Sequence, residues 1–254
     1  GEPHAVGDHG GKALNPLTGR VEDNGTSIID VSDPKTPRLL FHIPGGSGGA
    51  QMVRVCDGQS LPKANPAKTY LLRTFGDVAH EVWDVTAPES PTRVVSVADK
   101  LRGTHKNWWE CDTGIAYLVS GLPEWRTHRM TQIFDLSDPA SPVFIRNFGL
   151  PGPQPGASGP VPTELHGLIS AGPVRNRVYF GYGVNRAGIL QIADRAKLLG
   201  GARQPTERNL LAPQAGRFDL PALNGAHTVL PLLGVELAKK DNTGGKRDFV
   251  FVVN

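Results

Sequence analysis

One stretch of this chain is written three times. "TSIIDVSDPKTPRLLFHI" (26–43), "HEVWDVTAPESPTRVVSV" (80–97) and "TQIFDLSDPASPVFIRNF" (131–148) each run from apolar residues to an Asp, through a turn with two prolines, into a second apolar segment. A degenerate fourth copy, "GILQIADRAKLL" (188–199), keeps Asp194 and loses both prolines. The anchoring residues Asp30, Asp84, Asp135 and Asp194 are 54, 51 and 59 residues apart. Repetition at this period constrains the fold more than any compositional figure. A unit of that size cannot bury its own apolar face, so it must stack on the next copy.

Each unit reads as strand, tight turn, strand. The Asp side chain can cap the turn, and Pro34, Pro88 and Pro139, followed three residues later by Pro37, Pro91 and Pro142, fix φ and stop the ladder. Upstream lie further strand-like segments: "TYLLRTFG" (69–76), "IAYLVSG" (115–121), "RVYFGYG" (177–183) and "DFVFVVN" (248–254). Upstream again are "QMVRV" (51–55), "HKNWW" (105–109), "HGLIS" (166–170) and "HTVLP" (227–231). The 31 glycines and 22 prolines suit a chain of short strands and many turns. Four short strands per repeat predict an all-β fold, a β-propeller of four-stranded antiparallel blades with four to five blades present. The expected blades are 1–45, 46–99, 100–150, 151–212 and an incomplete 213–254, within a single propeller domain spanning 1–254 or a portion of one. The first blade begins at its second strand ("HAVGDHGG", 4–11) and the last ends after its second strand, so part of a larger ring is the favoured expectation.

"IIDVSDPKTPRLL", "VWDVTAPESPTRVV" and "IFDLSDPASPVFI" resemble the LVIVD repeat of bacterial, often exported, propeller proteins. The resemblance covers three units well and a fourth weakly. It implies the propeller fold and a periplasmic or secreted location, and it implies little about activity, because propellers host binders, scaffolds and enzymes alike. An architectural similarity to the selenium-binding protein and methanethiol oxidase group is more distant, and no motif here carries their residues over.

Several classes of function are disfavoured. Net charge is +3 and the basic residues are scattered, which argues against nucleic-acid binding. No run of 18 apolar residues is present, so no helical membrane span is expected. No Walker A or GxSxG pattern occurs, so no nucleotide cofactor is expected, and no nucleophile has a base close to it in sequence. The chain starts at Gly1 without a signal-peptide pattern, which reads as a processed form or a fragment. Cys56 and Cys111 sit at similar depths in neighbouring inner strands, so a disulfide is conceivable, but two buried free thiols is the favoured expectation.

The histidines follow the repeat. His105, His166 and His227 each head an innermost strand at a spacing of 61 residues, and Gln51 occupies the equivalent place one blade earlier. If inner strands line a channel, these three and His9 would gather at one mouth as candidate ligands for a transition metal (copper, iron or zinc). Glu164 and Glu110 are the nearest carboxylates to support them. The same face would collect His80, the Trp125, Arg126 and His128 of one loop, and Asn185 and Arg186 of another. The competing expectation is that each histidine bonds a neighbouring blade's backbone as a packing device. Three functions follow: a propeller binding a small-molecule or protein partner at its channel face, a metal-dependent enzyme (most plausibly an oxidoreductase), and a structural module of a larger assembly. Whether the chain is an enzyme stays open at this point.

Overall fold

The computed structural model describes residues 4–184, 187–236 and 245–254. The chain divides into two compact units, Gly1–Phe148 and Gly149–Asn254. Both are built from antiparallel sheets in which, apart from the β1–β4 pair of the first sheet, sequential strands pair as neighbours.

The first unit holds three such sheets. The first sheet orders β1 (His4–Gly7), β4 (Gly25–Asp30) and β5 (Arg38–Pro44), with a separate hairpin of β2 (Lys12–Asn15) and β3 (Arg20–Asp23) between the first two. The second sheet is β6 (Val53–Asp57), β7 (Thr69–Phe75), β8 (Ala79–Asp84) and β9 (Thr92–Ala98). The third is β10 (Gly103–Trp109), β11 (Ile115–Gly121), β12 (Met130–Asp135) and β13 (Val143–Phe148). The second unit holds a fourth sheet of β14 (Leu165–Ser170), β15 (Arg177–Tyr182), β16 (Ile189–Asp194) and β17 (Gln214–Asp219), then a two-stranded pair, β18 (Thr228–Glu236) and β19 (Lys246–Val253). Three short helices, α1 (Gly172–Arg175), α2 (Arg195–Gly200) and α3 (Glu207–Leu211), complete the described elements. Successive four-stranded meanders of this kind are the blades of a β-propeller.

The threefold repeat forms the outer hairpin of each sheet, as its spacing predicts. β4–β5, β8–β9 and β12–β13 are antiparallel pairs, and each carries a bulge one residue before the anchoring Asp: Ile28/Ile29, Val82/Trp83 and Ile133/Phe134. The fourth copy has its bulge at Ile192/Ala193, in the same place. Past each bulge the Asp turns back on the chain. Asp30 Oδ1 accepts the N–H and hydroxyl of Ser32 (2.9 and 2.6 Å), Asp84 Oδ1 those of Thr86 (3.0 and 2.6 Å), and Asp135 Oδ1 the N–H of Ser137 (2.8 Å). The hydroxyl and N–H of Ser32, with Arg38, hold the Asp30 carboxyl at about 2. Burial pushes Asp84 up, but the Thr86 and Lys68 bonds outweigh it and leave the carboxyl below its ordinary value.

The fourth copy departs where its prolines are missing. Asp194 still caps, but it caps a helix, accepting the N–H of Lys197 at 3.0 Å as the residue before α2. With α2 and α3 inserted, the outer strand of this sheet comes late and ends at Asp219, past the boundary read at 212.

Neighbouring sheets share their cores. Ile28 and Ile43 pack with Leu71 and Val85 between the first and second sheets. Cys56, Leu72 and Val82 meet Trp109, Ala116, Leu118 and Phe134 between the second and third. In the second unit Tyr179 and Leu190 pack with Ala226 and Val229. The β18–β19 pair buries that side and exposes Leu230, Leu232, Phe249, Phe251 and Val253 on the other.

The cysteines correct an expectation. They are not free thiols: Cys56 on β6 and Cys111, two residues past the end of β10, form a disulfide with Cα atoms 5.5 Å apart. The inner strands of adjacent sheets lie side by side, so residues at matching depth meet at the separation a bridge requires.

Replacing Asp84 by Ala removes the acceptor for two local donors and should cost about 0.5–2 kcal/mol in chemical denaturation with the far-UV spectrum unchanged. Asp84→Asn keeps an acceptor oxygen and should lose less. Equal stability of the Ala variant and the parent would remove the Asp from its structural role.

Candidate functional site

Two of the residues heading inner strands, His105 and His166, are held by a local irregularity absent from any sequence pattern. Pairing of β10 with β11 shifts between Thr104 and Asn107, and pairing of β14 with β15 shifts between Leu165 and Gly167. His105 and His166 therefore each sit in a β-bulge at the same place in the repeat. A bulge turns a side chain out of the regular alternation, and such irregularities concentrate near functional sites.

Each bulged histidine reaches a neighbouring sheet. In the first unit His105 Nδ1 bonds the Gln51 amide oxygen, joining the third sheet to the residue at the equivalent place before β6. In the second unit His166 Nδ1 donates to the main-chain oxygen of His227 at 2.6 Å, and the two rings stack with centroids 3.8 Å apart. His227 Nδ1 lies 3.2 Å from the Thr228 hydroxyl. His105 is 8% exposed and His166 4%, so both are reachable only at an edge. Because its acceptor is a main-chain carbonyl, Nδ1 of His166 carries a proton. The backbone bond of His166 is the packing device expected of a repeated histidine, and the stacked His227 ring is an addition to it.

The other candidates separate. His9 is exposed, pairs through its main chain with Gly49 and is not drawn into a cluster. His80 is fully buried and donates Nε2–H to the Val119 carbonyl at 3.1 Å, so it binds the second sheet to the third rather than facing a ligand. Its Nδ1 has no partner, and burial pulls its pKa down to about 4. Trp125 is likewise core, 2% exposed, with Arg102 bonding its carbonyl at 2.8 Å. Arg126 and His128 are exposed, and the His128 ring lies over the start of β10, where a Cβ on Gly103 would fall 2.8 Å from its ring atoms. Glu164 is half-buried beside β14, its carbonyl accepting the Gly183 N–H at 2.9 Å. Glu110 lies at the far end of β10, bonded by the Tyr117 and Thr113 hydroxyls at 3.0 and 2.5 Å, so it does not orient His105. Asn185 and Arg186 lie outside the described residues. Among the described residues no three His, Cys, Asp or Glu side chains are grouped as a metal ion would need. No described helix is long and apolar enough to cross a membrane.

No protein-family model matches the chain, and no curated protein does. Among solved structures it is similar to Sqt1 from Chaetomium thermophilum, at 10% identity and TM-score 0.47 over 81% of this chain and 44% of that one. It is similar to a putative 6-phosphogluconolactonase from Bacteroides fragilis NCTC 9343, at 11% identity and TM-score 0.46 over 84% and 55%. It is also similar to the Pseudomonas aeruginosa PilY1 C-terminal domain, at 16% identity and TM-score 0.41 over 83% and 50%. The chain spans about half the length of these structures.

The buried His80 makes stability depend on pH with a definite sign. Its pKa is depressed from 6.5 to about 4, so below pH 6.5 the unfolded chain takes up a proton that the folded one refuses. The stabilisation is complete above pH 6.5 and falls away as pH drops toward 4. Urea midpoints across this window should decline for the parent, and His80→Gln should flatten part of that decline. A parent and variant with parallel profiles would count against it.

Proposed function

We propose that this chain is an extracytoplasmic, LVIVD-type bacterial propeller that binds a small-molecule or protein partner at the sheet end of its second unit that carries His166 and His227. One observation carries the reading: the same bulge at the same repeat position presents a histidine in two sheets, and a third histidine stacks on one of them. Packing alone would be served by a regular apolar position, whereas a bulged imidazole whose Nδ1 is held by the neighbouring sheet is fixed in orientation for a contact through its other edge. The Cys56–Cys111 bridge suits an oxidising compartment and so supports export.

A second reading is a transition-metal site, copper, iron or zinc, serving an oxidoreductase. Its support is the Nδ1–H bond of His166 to a carbonyl, the arrangement that orients metal-bound imidazoles through their other nitrogen. The described donor set does not by itself fit such an ion, because a third ligand is missing from it.

Native mass spectrometry and elemental analysis of protein purified without chelators separate the readings. Binding predicts a stoichiometric adduct that His166→Gln loses while its melting temperature stays near the parent's. Stoichiometric metal lost with the same substitution would favour the second reading. Neither adduct nor metal, with a destabilised variant, would leave the histidines as packing residues and overturn both.

A further inference from the structure

The junction of the second and third sheets buries polar side chains from both sides at one level. Thr74 of β7 and His80 of β8 are cross-strand partners, so they share a face of the second sheet. The His80 Nε2 bond to the Val119 carbonyl shows that this face looks onto the third sheet. Ser120 follows Val119 directly and lies on the facing side. Its cross-strand partner Thr104 gives its hydroxyl to the Gly76 carbonyl, just past β7, at 2.6 Å. Leu72 and Leu118, two residues before Thr74 and Ser120 on the same faces, pack together in the apolar cluster of this junction. Thr74, His80 and Ser120 are each 0% exposed. The Thr74 and Ser120 hydroxyls and His80 Nδ1 are shielded from solvent and have no partner within the protein.

Polar groups of this kind are costly to bury unpaired, and in folded proteins they find partners in the protein or in ordered water. The chemistry of these three is complementary. With Nε2–H committed to Val119, Nδ1 of the neutral ring is an acceptor, and each hydroxyl can donate. Neither hydroxyl bonds the nitrogen directly. What suits a lone-pair nitrogen and two O–H donors on facing walls is a small molecule that donates once and accepts twice. We propose that this junction binds an internal water, which gives an O–H to His80 Nδ1 and accepts the O–H of Thr74 and of Ser120. Three bonds are the usual complement of a buried water. Met130, the partner of Ser120 on β12 and 1% exposed, closes the site toward the outer strands. The water ties β7 and β8 to β11 beside the direct His80–Val119 bond, and it lies apart from the His166 and His227 end.

Thr74→Val keeps the shape of the side chain and removes only the hydroxyl. If that hydroxyl holds a water, the variant leaves the water short of a partner, and the folding equilibrium constant from urea denaturation should fall by about tenfold. A hydroxyl buried without any partner predicts the opposite sign, and a Val variant as stable as the parent or more so would overturn the proposal. Ser120→Ala should lose a similar factor. The double variant should lose less than the product of the two single losses, because one water serves both hydroxyls, and losses that multiply in full would count against it. A crystal structure of the parent should show a water oxygen within about 3.2 Å of Nδ1 and of both hydroxyls. Direct contact among the three side chains, or either hydroxyl turned onto the main chain, overturns the assignment. Should Thr74→Val not fold, Ser120→Ala and the crystal structure carry the same test.

Discussion

A four-stranded sheet has two faces, and neither can be buried from within the sheet. Everything else in this molecule follows from that constraint, because each sheet must obtain its core from its neighbours. The junction of the first two sheets shows how far this goes. Arg73, 1% exposed on β7, sends Nε and Nη2 to Glu81 Oε2 at 3.1 and 3.0 Å and reaches the Ile43 and Pro44 carbonyls of β5 at 3.0 and 2.9 Å. Glu81 is completed by Trp83 Nε1 at 2.9 Å and Arg93 at 3.1 Å. A buried charge is tolerated here because every partner is in place, and the partners come from two sheets. The junction of the second and third sheets uses an apolar cluster, the His80–Val119 bond and a disulfide to the same end.

The histidines are best understood within this economy. A residue that heads an inner strand is where one sheet can touch the next with its backbone unpaired, so a polar side chain there has a structural use in every repeat. His105 meeting Gln51 and His166 meeting the His227 carbonyl are two forms of the same inter-sheet contact. What the contact does not require is the bulge, nor a second imidazole stacked upon the first. Those two additions are what the proposed binding reading rests on.

The repeat was legible because its chemistry is local. An Asp that bonds the residues two ahead of it, prolines that fix φ, and an apolar run on each side are all written within a single unit, and the hairpins formed where those letters stood. The inner strands were legible by the same spacing. The disulfide was only partly so: matching depth was visible, but whether the side chains pointed at one another depended on which face of each strand met the neighbour. The bulges were invisible, since Leu165, His166 and Gly167 read as ordinary strand residues and the irregularity exists only in pairing with β15. His80 and Trp125 stand apart from the other candidates for a related reason. Both stand near the end of a sheet in sequence, and only packing shows them turned inward, His80 with one ring nitrogen unsatisfied.

Arg73 and Arg54 make the sharpest comparison in the molecule, because the same side chain faces the same problem on adjacent strands. Arg73 lies between two complete layers and finds a carboxylate and two carbonyls within 3.1 Å. Arg54 lies one strand nearer the inner edge, on the face of β6 opposite Val53 and Val55, where it is half-buried and has the Trp108 ring for support and one long bond. A cation–π contact offsets only about 0.5–2 kcal/mol of a guanidinium's desolvation, less than hydrogen bonds to a carboxylate supply. The same side chain is thus held in two ways on adjacent strands, by a full set of carboxylate and carbonyl partners where it is 1% exposed and by an aromatic face where it is half-buried.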